Sequence, residues 1–351
     1  MSDENKPKKP SAKVLAWPLF DRIVADGLND ERRYRNPWCR DAEGALQYEP
    51  DYATLERLLG VPLHLKAATT TGVPALALDV WLAYELRRAG FEPDSVWPRA
   101  EHPRILPSTI SALLKALPKK QSKELLERLT KEGNVRDVTA SSASILGKNY
   151  RKQVDVIMAD WITGPELMIS TKRMDSSYGK NAPNRVEESY GDAKNLRLRH
   201  PLAALGFAFG LRNDVFDKEG DTADWLLDLL AKLGREDDAY HATCVVLMEY
   251  GPGVAPVPDD GGDDEDRLAA AGLEEESEDE DEPVDVSAVE VSMTLAQLPA
   301  VRIDHDRTPP NLSPARFLAT MVNHVLDTTP VNMHVEARRQ RREAMTPNRS
   351  T

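Results

Sequence analysis

The alternation of apolar and polar positions gives this chain its outline. Near its middle, Gln153-Val154-Asp155-Val156-Ile157-Met158-Ala159-Asp160 carries valine and isoleucine on both faces of an extended strand. A Gly164-Pro165 turn follows, then Leu167-Met168-Ile169-Ser170-Thr171-Lys172. Together they predict a hairpin covered on both sides, which draws Asp155 and Lys172 into apolar surroundings, where a charge needs a partner or a metal ion. Upstream, 15–24 and 52–59 suggest short helices. A stronger helix is expected over 74–90, where Leu76, Leu78, Val80, Leu82 and Leu86 include helical spacings and Gly90 supplies a stop. Another helical stretch, 108–132, is interrupted at Pro118. Downstream, 184–198 has a polar helical pattern, 202–211 is an apolar run, 225–233 an amphipathic helix and 241–250 strand-like. This order predicts an α/β layer structure with a mixed central sheet flanked by helices.

Composition narrows the class without naming a chemistry. The 351 residues, 41% apolar and 29% charged, fit an ordinary globular protein. No stretch approaches the roughly twenty uninterrupted apolar residues that span a bilayer, and residues 1–10 have no apolar signal core. A cytoplasmic protein with no membrane association is expected. The two cysteines, Cys39 and Cys244, are too few and too far apart for a disulfide framework or a Cys-based zinc site.

Charge is unevenly placed. The chain carries a formal −13, yet 259–285 holds fifteen acidic residues against the single basic Arg267, leaving the rest near +1. With few large apolar residues, this tract is expected to be a disordered acidic insertion. The remainder has basic groups free to cluster. The expected organisation is a disordered basic tail at 1–13, a helical region at 14–73, and an α/β core at 74–252 with a helical insertion at 105–150. The acidic insertion occupies 253–285, a strand and helix at 286–335 complete the core, and a basic tail closes the chain at 336–351.

The hairpin brings chemistry together. Ser170 and Lys172, two apart on a strand, share a face with Met168 and Glu166. A two-residue hairpin loop makes paired residue numbers sum to an odd value, which sets Asp155 opposite Lys172 or Met174 on that side. A loop with an odd number of residues puts Asp160 in its place.

These residues resemble the PD-(D/E)XK nuclease superfamily, which includes many type II restriction endonucleases. There a hairpin presents an aspartate on one strand and an acid-x-lysine triplet on the next. The corresponding elements are Asp155 and Ser170-Thr171-Lys172, with serine where the second carboxylate normally sits, a much poorer magnesium ligand. In branches with this substitution the missing carboxylate comes from the following helix, which points to Glu188 first and Glu187 second. The resemblance implies a restriction-endonuclease-like core and a magnesium-dependent deoxyribonuclease acting on double-stranded DNA, in restriction or phage defence. Asp155 and Glu188 would hold Mg2+, Lys172 would position the attacking water, and Ser170 would make a weak contact. Arg173, Lys180, Arg185, Lys194, Arg197 and Arg199 make the region after the hairpin basic, suited to a phosphate backbone. A homodimer is implied, with a cognate methyltransferase or defence-system partner alongside. The departure at Ser170 keeps a second reading open, a catalytically inactive DNA-binding or scaffolding subunit. A third gives the acidic tract the leading role, as a DNA mimic or the occupant of a basic partner.

Other chemistries lack their residues. Gly147-Lys148 is not a P-loop, Thr71 stands where a His-x-Lys phospholipase-D-type motif at His64 needs aspartate, and no Gly-x-Ser-x-Gly or His-Glu-x-x-His occurs. Glu85 on the 74–90 helix is read as a surface glutamate and Asp304-His305-Asp306 as a polar turn.

Overall fold

The computed structural model describes residues 10–131, 138–139, 143–235, 237, 239–258 and 286–346. In chain order the elements are α1 (Ala12–Leu28), β1 (Trp38–Arg40), β2 (Leu46–Tyr48), α2 (Tyr52–Leu65), α3 (Val73–Arg88), β3 (Val96–Trp97), α4 (Ser108–Ala116) and α5 (Lys119–Lys131). Then come β4 (Ala143–Leu146), β5 (Arg151–Val154), β6 (Val156–Asp160), β7 (Gly164–Met174), α6 (Tyr178–Arg197), β8 (Ala204–Arg212), α7 (Val215–Lys218), α8 (Gly220–Leu233) and β9 (Ala242–Tyr250). The chain continues with α9 (Ala288–Leu295), β10 (Val301–Ile303), α10 (Pro314–Thr328) and α11 (Val335–Met345).

Six strands form one mixed sheet in the order β10-β9-β8-β7-β6-β3. The central strands β7, β8 and β9 run parallel, while β6, β3 and β10 are antiparallel to their neighbours. Strand β8 shows why helices cover both faces. Its residues alternate small and large: Ala204, Gly206, Ala208 and Gly210 face one way, and Leu205, Phe207, Phe209 and Leu211 the other. The small face lies in a core shared with α1, α2, α3 and α10, the large face in one shared with α6 and α8. A Cβ on Gly206 would lie 2.7 Å from Phe317 Cζ of α10, and one on Gly210 would lie 3.1 Å from Leu78 Cδ1 of α3. Glycine at these two positions lets the helices press onto the sheet.

The α/β class with a mixed central sheet flanked by helices is therefore what the chain adopts. Several boundaries differ from the sequence reading. The first helices are longer than predicted, and α1 and α2 join the same core as α3 rather than forming a separate region. Gln153 and Val154 belong not to the central hairpin but to β5, which pairs with β4 in a separate two-stranded ribbon. The expected basic tail at 336–351 is instead helical through Met345, and α11 docks on the N-terminal region, where Arg40 Nε donates to Ala344 O at 2.9 Å. The acidic tract 259–285 and residues 1–9 lie outside the described residues. No helix among the described residues is long and apolar enough to cross a membrane.

Candidate active site at the hairpin and helix α3

The site forms where β6 leaves its ladder. Val156 pairs with Ile169, so the next position in register sets Asp155 opposite Ser170, two residues short of the expected Lys172. The chain bends at Asp155 into β5, and this leaves the Thr171 N–H without a strand partner. The Asp155 carboxylate takes that bond: Thr171 N donates to Asp155 Oδ2 at 2.7 Å.

Loop parity is resolved in an unexpected way. Three residues, Trp161 to Thr163, separate Asp160 from its partner Gly164, an odd loop that on its own would have favoured Asp160. A register shift between Met158 and Ala159 cancels that extra residue. Asp160 stays at the hairpin tip, where its Oδ1 accepts the Ile162 N–H at 2.8 Å, about 16 Å along the strand from Asp155 at 3.3 Å per residue.

The second acid comes from α3. Thr171 Oγ1 donates to Asp79 Oδ1 at 2.5 Å, so one threonine binds two carboxylates, through its amide and through its hydroxyl. Asp79 is only 7% exposed. Burial pushes its pKa well above the ordinary value and the nearby Asp155 charge adds to that, while the Thr171 bond and the Lys13 and Lys172 ammonium groups act in opposition. Lys13 arrives on α1 and Lys172 is the neighbour of Thr171 on β7. Ser170 is buried and Lys172 half-buried on the opposite face of β7 from Thr171.

Sequence reasoning looked for the second acid on α6, at Glu188 or Glu187, and did not single out Asp79. Glu85, taken for a surface residue, is 0% exposed: it pairs with Arg88 at 2.6 Å and accepts the Asp51 N–H at 2.7 Å. Asp79 was marked by a different signal, a single acid inside Ala75-Leu76-Ala77-Leu78-Asp79-Val80-Trp81-Leu82, with no polar face to turn toward.

The remaining candidates are placed as follows. On α6, Glu187 is exposed, and Glu188 is half-buried with its carboxylate 3.7 Å from Arg185 Nη1. Among the basic residues, Arg173 is not a surface group at all. Its side chain is 1% exposed, bound through Nε to Asp175 at 2.8 Å and through Nη2 to the Tyr250 hydroxyl at 2.7 Å, which removes it from any DNA surface. Lys180 is exposed, Lys194 lies 5.2 Å from the Tyr190 ring, and Arg197 Nη1 is 2.8 Å from His241 Nδ1. Asp304 closes a turn by accepting the Arg307 N–H.

Magnesium takes oxygen ligands and needs only one or two protein carboxylates when substrate phosphate completes its shell. Asp79 and Asp155 offer oxygen donors of that kind, and a cation beside them would offset the repulsion that raises Asp79. Among the described residues no group of three or more His, Cys, Asp or Glu is placed to hold a metal by protein alone. No family model, curated protein or solved structure matches this chain.

Proposed function

We propose that this protein is a magnesium-dependent endonuclease of the PD-(D/E)XK kind, hydrolysing phosphodiester bonds in double-stranded DNA. The single observation that carries the reading is the pairing of Asp79 and Asp155 on one residue, Thr171, immediately before Lys172. The order helix α3, strands β3, β6 and β7, helix α6, strand β8 supports it, because it sets an acid-bearing helix and an acid-and-lysine hairpin on one mixed sheet.

Each residue then has a task. Asp79 and Asp155 would hold the metal, which when bound supplies Lewis acidity at the phosphate and a water ionised near neutral pH. Thr171 fixes both carboxylates and is itself fixed in the central strand. Lys172 leaves β7 on the face opposite Thr171 but lies near enough for its charge to act on Asp79, and it would offer an ammonium to the charge that develops at phosphorus, while Lys13 adds positive charge on the α3 side. Ser170 keeps the role of a weak hydroxyl contact.

Plasmid cleavage in magnesium is the test. Asp155→Asn, Asp79→Asn and Lys172→Met should each lower the rate by at least about 10²-fold, with circular dichroism unchanged. Cleavage at the wild-type rate by both aspartate variants would overturn the reading. The serine at 170 favours one rival, an inactive DNA-binding or scaffolding subunit. Duplex binding without cleavage under magnesium or manganese would establish that rival. A homodimer and a methyltransferase or defence partner remain part of the proposal.

A further inference from the structure

We propose that the β4–β5 ribbon reads base sequence in the major groove of duplex DNA, an inference that rests on the nucleic-acid reading above and assigns its specificity element. The ribbon stands apart from the central sheet and pairs Ser144 with Gln153 and Leu146 with Arg151. Strand alternation gives it two faces. Ala143 and Val154 are buried and Ile145 and Lys152 half-buried on the inner face, whereas Ser144, Leu146, Arg151 and Gln153 are exposed on the outer one. Lys148 and Asn149 are exposed at the tip.

The outer face has the chemistry of base readout. A two-stranded ribbon fits the major groove, where the arginine fork matches guanine O6 and N7 and the glutamine amide matches adenine N6 and N7. Arg151 and Gln153 stand two residues apart on one strand, about 7 Å, which matches two steps of about 3.4 Å along one DNA strand. Lys148 at the tip is placed for a phosphate.

The ribbon is also held still, as a reading element must be. Asn195 of α6 accepts the Lys148 N–H on its backbone carbonyl at 2.8 Å, accepts the Asn149 N–H on Oδ1 at 2.9 Å, and donates Nδ2 to Tyr150 O at 3.1 Å. Asp192, one turn earlier, pairs with Lys152 at 2.6 Å and accepts from the Tyr150 hydroxyl at 3.1 Å. Two residues beyond Gln153 the chain reaches Asp155, so the bases read and the phosphate attacked are tied together through one short segment.

The experiment selects duplexes from a pool with a randomised core, using the full chain, in wild type and in Arg151→Ala and Gln153→Ala. Both side chains are exposed, so the variants retain the fold, which circular dichroism checks. Wild type should enrich one motif. Each variant should lose about tenfold discrimination at one base pair, the two positions lying two steps apart, while affinity for random duplex changes little. Enrichment of no motif, the same motif in all three proteins, or binding to single strands alone would each overturn the inference. A motif lost in the variants without cleavage under any divalent metal would support the ribbon and sink hydrolysis; cleavage with an unaltered motif would do the reverse.

Discussion

At the scale of single residues, Asp79 carries the most information. Its carboxyl binds a proton more tightly in the fold than in the unfolded chain, where an aspartate titrates near 3.9. Folding therefore takes up a proton, and the contribution of Asp79 to stability falls as pH rises through and above that value. With chelator present, Asp79→Asn should remove this part of the pH slope and match or exceed wild-type stability at pH 8. Magnesium should raise the melting temperature of wild type there and leave the variant unmoved. Parallel melting curves for the two proteins across pH, with or without magnesium, would deny Asp79 this role. Asp155 and Lys172 were visible in the sequence because charges inside an apolar strand stand out. Asp79 stands out in the same way inside α3, but a helix offers every acid a possible outward face, and only the packing on β7 shows that this one has none. Arg173 shows the converse, since a basic side chain within a basic stretch gives no sign that its partner, Asp175, lies two residues away in the interior.

At the scale of elements, the site depends on how closely α3 lies on the sheet. Gly210 of β8 sets that distance, with Leu78 next to Asp79 directly above it. Gly210→Val should destabilise by about 1–3 kcal/mol through overpacking, read from urea unfolding, and lift Asp79 from Thr171. A variant as stable as wild type would mean that α3 has slack. The pattern of apolar positions sufficed to place α3 and strands β7 to β9, because these elements bury whole faces, while the split between α4 and α5 was marked by Pro118 alone. It did not place the β4–β5 ribbon, which runs without a gap into the central hairpin and differs from it only by the bend at Asp155. Nor did it reveal α11. The arginine-rich run 335–345 reads as solvated chain, and the helix is held by backbone carbonyls that Asn36 finds at its middle and Arg40 at its far end, contacts with no trace in local sequence.

At the scale of the whole molecule, charge is divided between the tract 259–285 and a nearly neutral remainder of the chain. Deleting that tract changes the formal charge from −13 to about +1, which should strengthen duplex binding at low salt and leave cleavage intact or faster. Binding measured across a salt series decides this, and loss of binding on deletion would give the tract the leading role instead. The register slip between Met158 and Ala159 has a consequence at the same scale. It works as a compensator between the two ends of one hairpin. The tip can display Trp161 and Ile162 to solvent on a loop of whatever length suits that display, while a single adjustable residue restores the phase of the strand before it reaches Asp155. The outer and inner ends of the hairpin thus answer to separate demands.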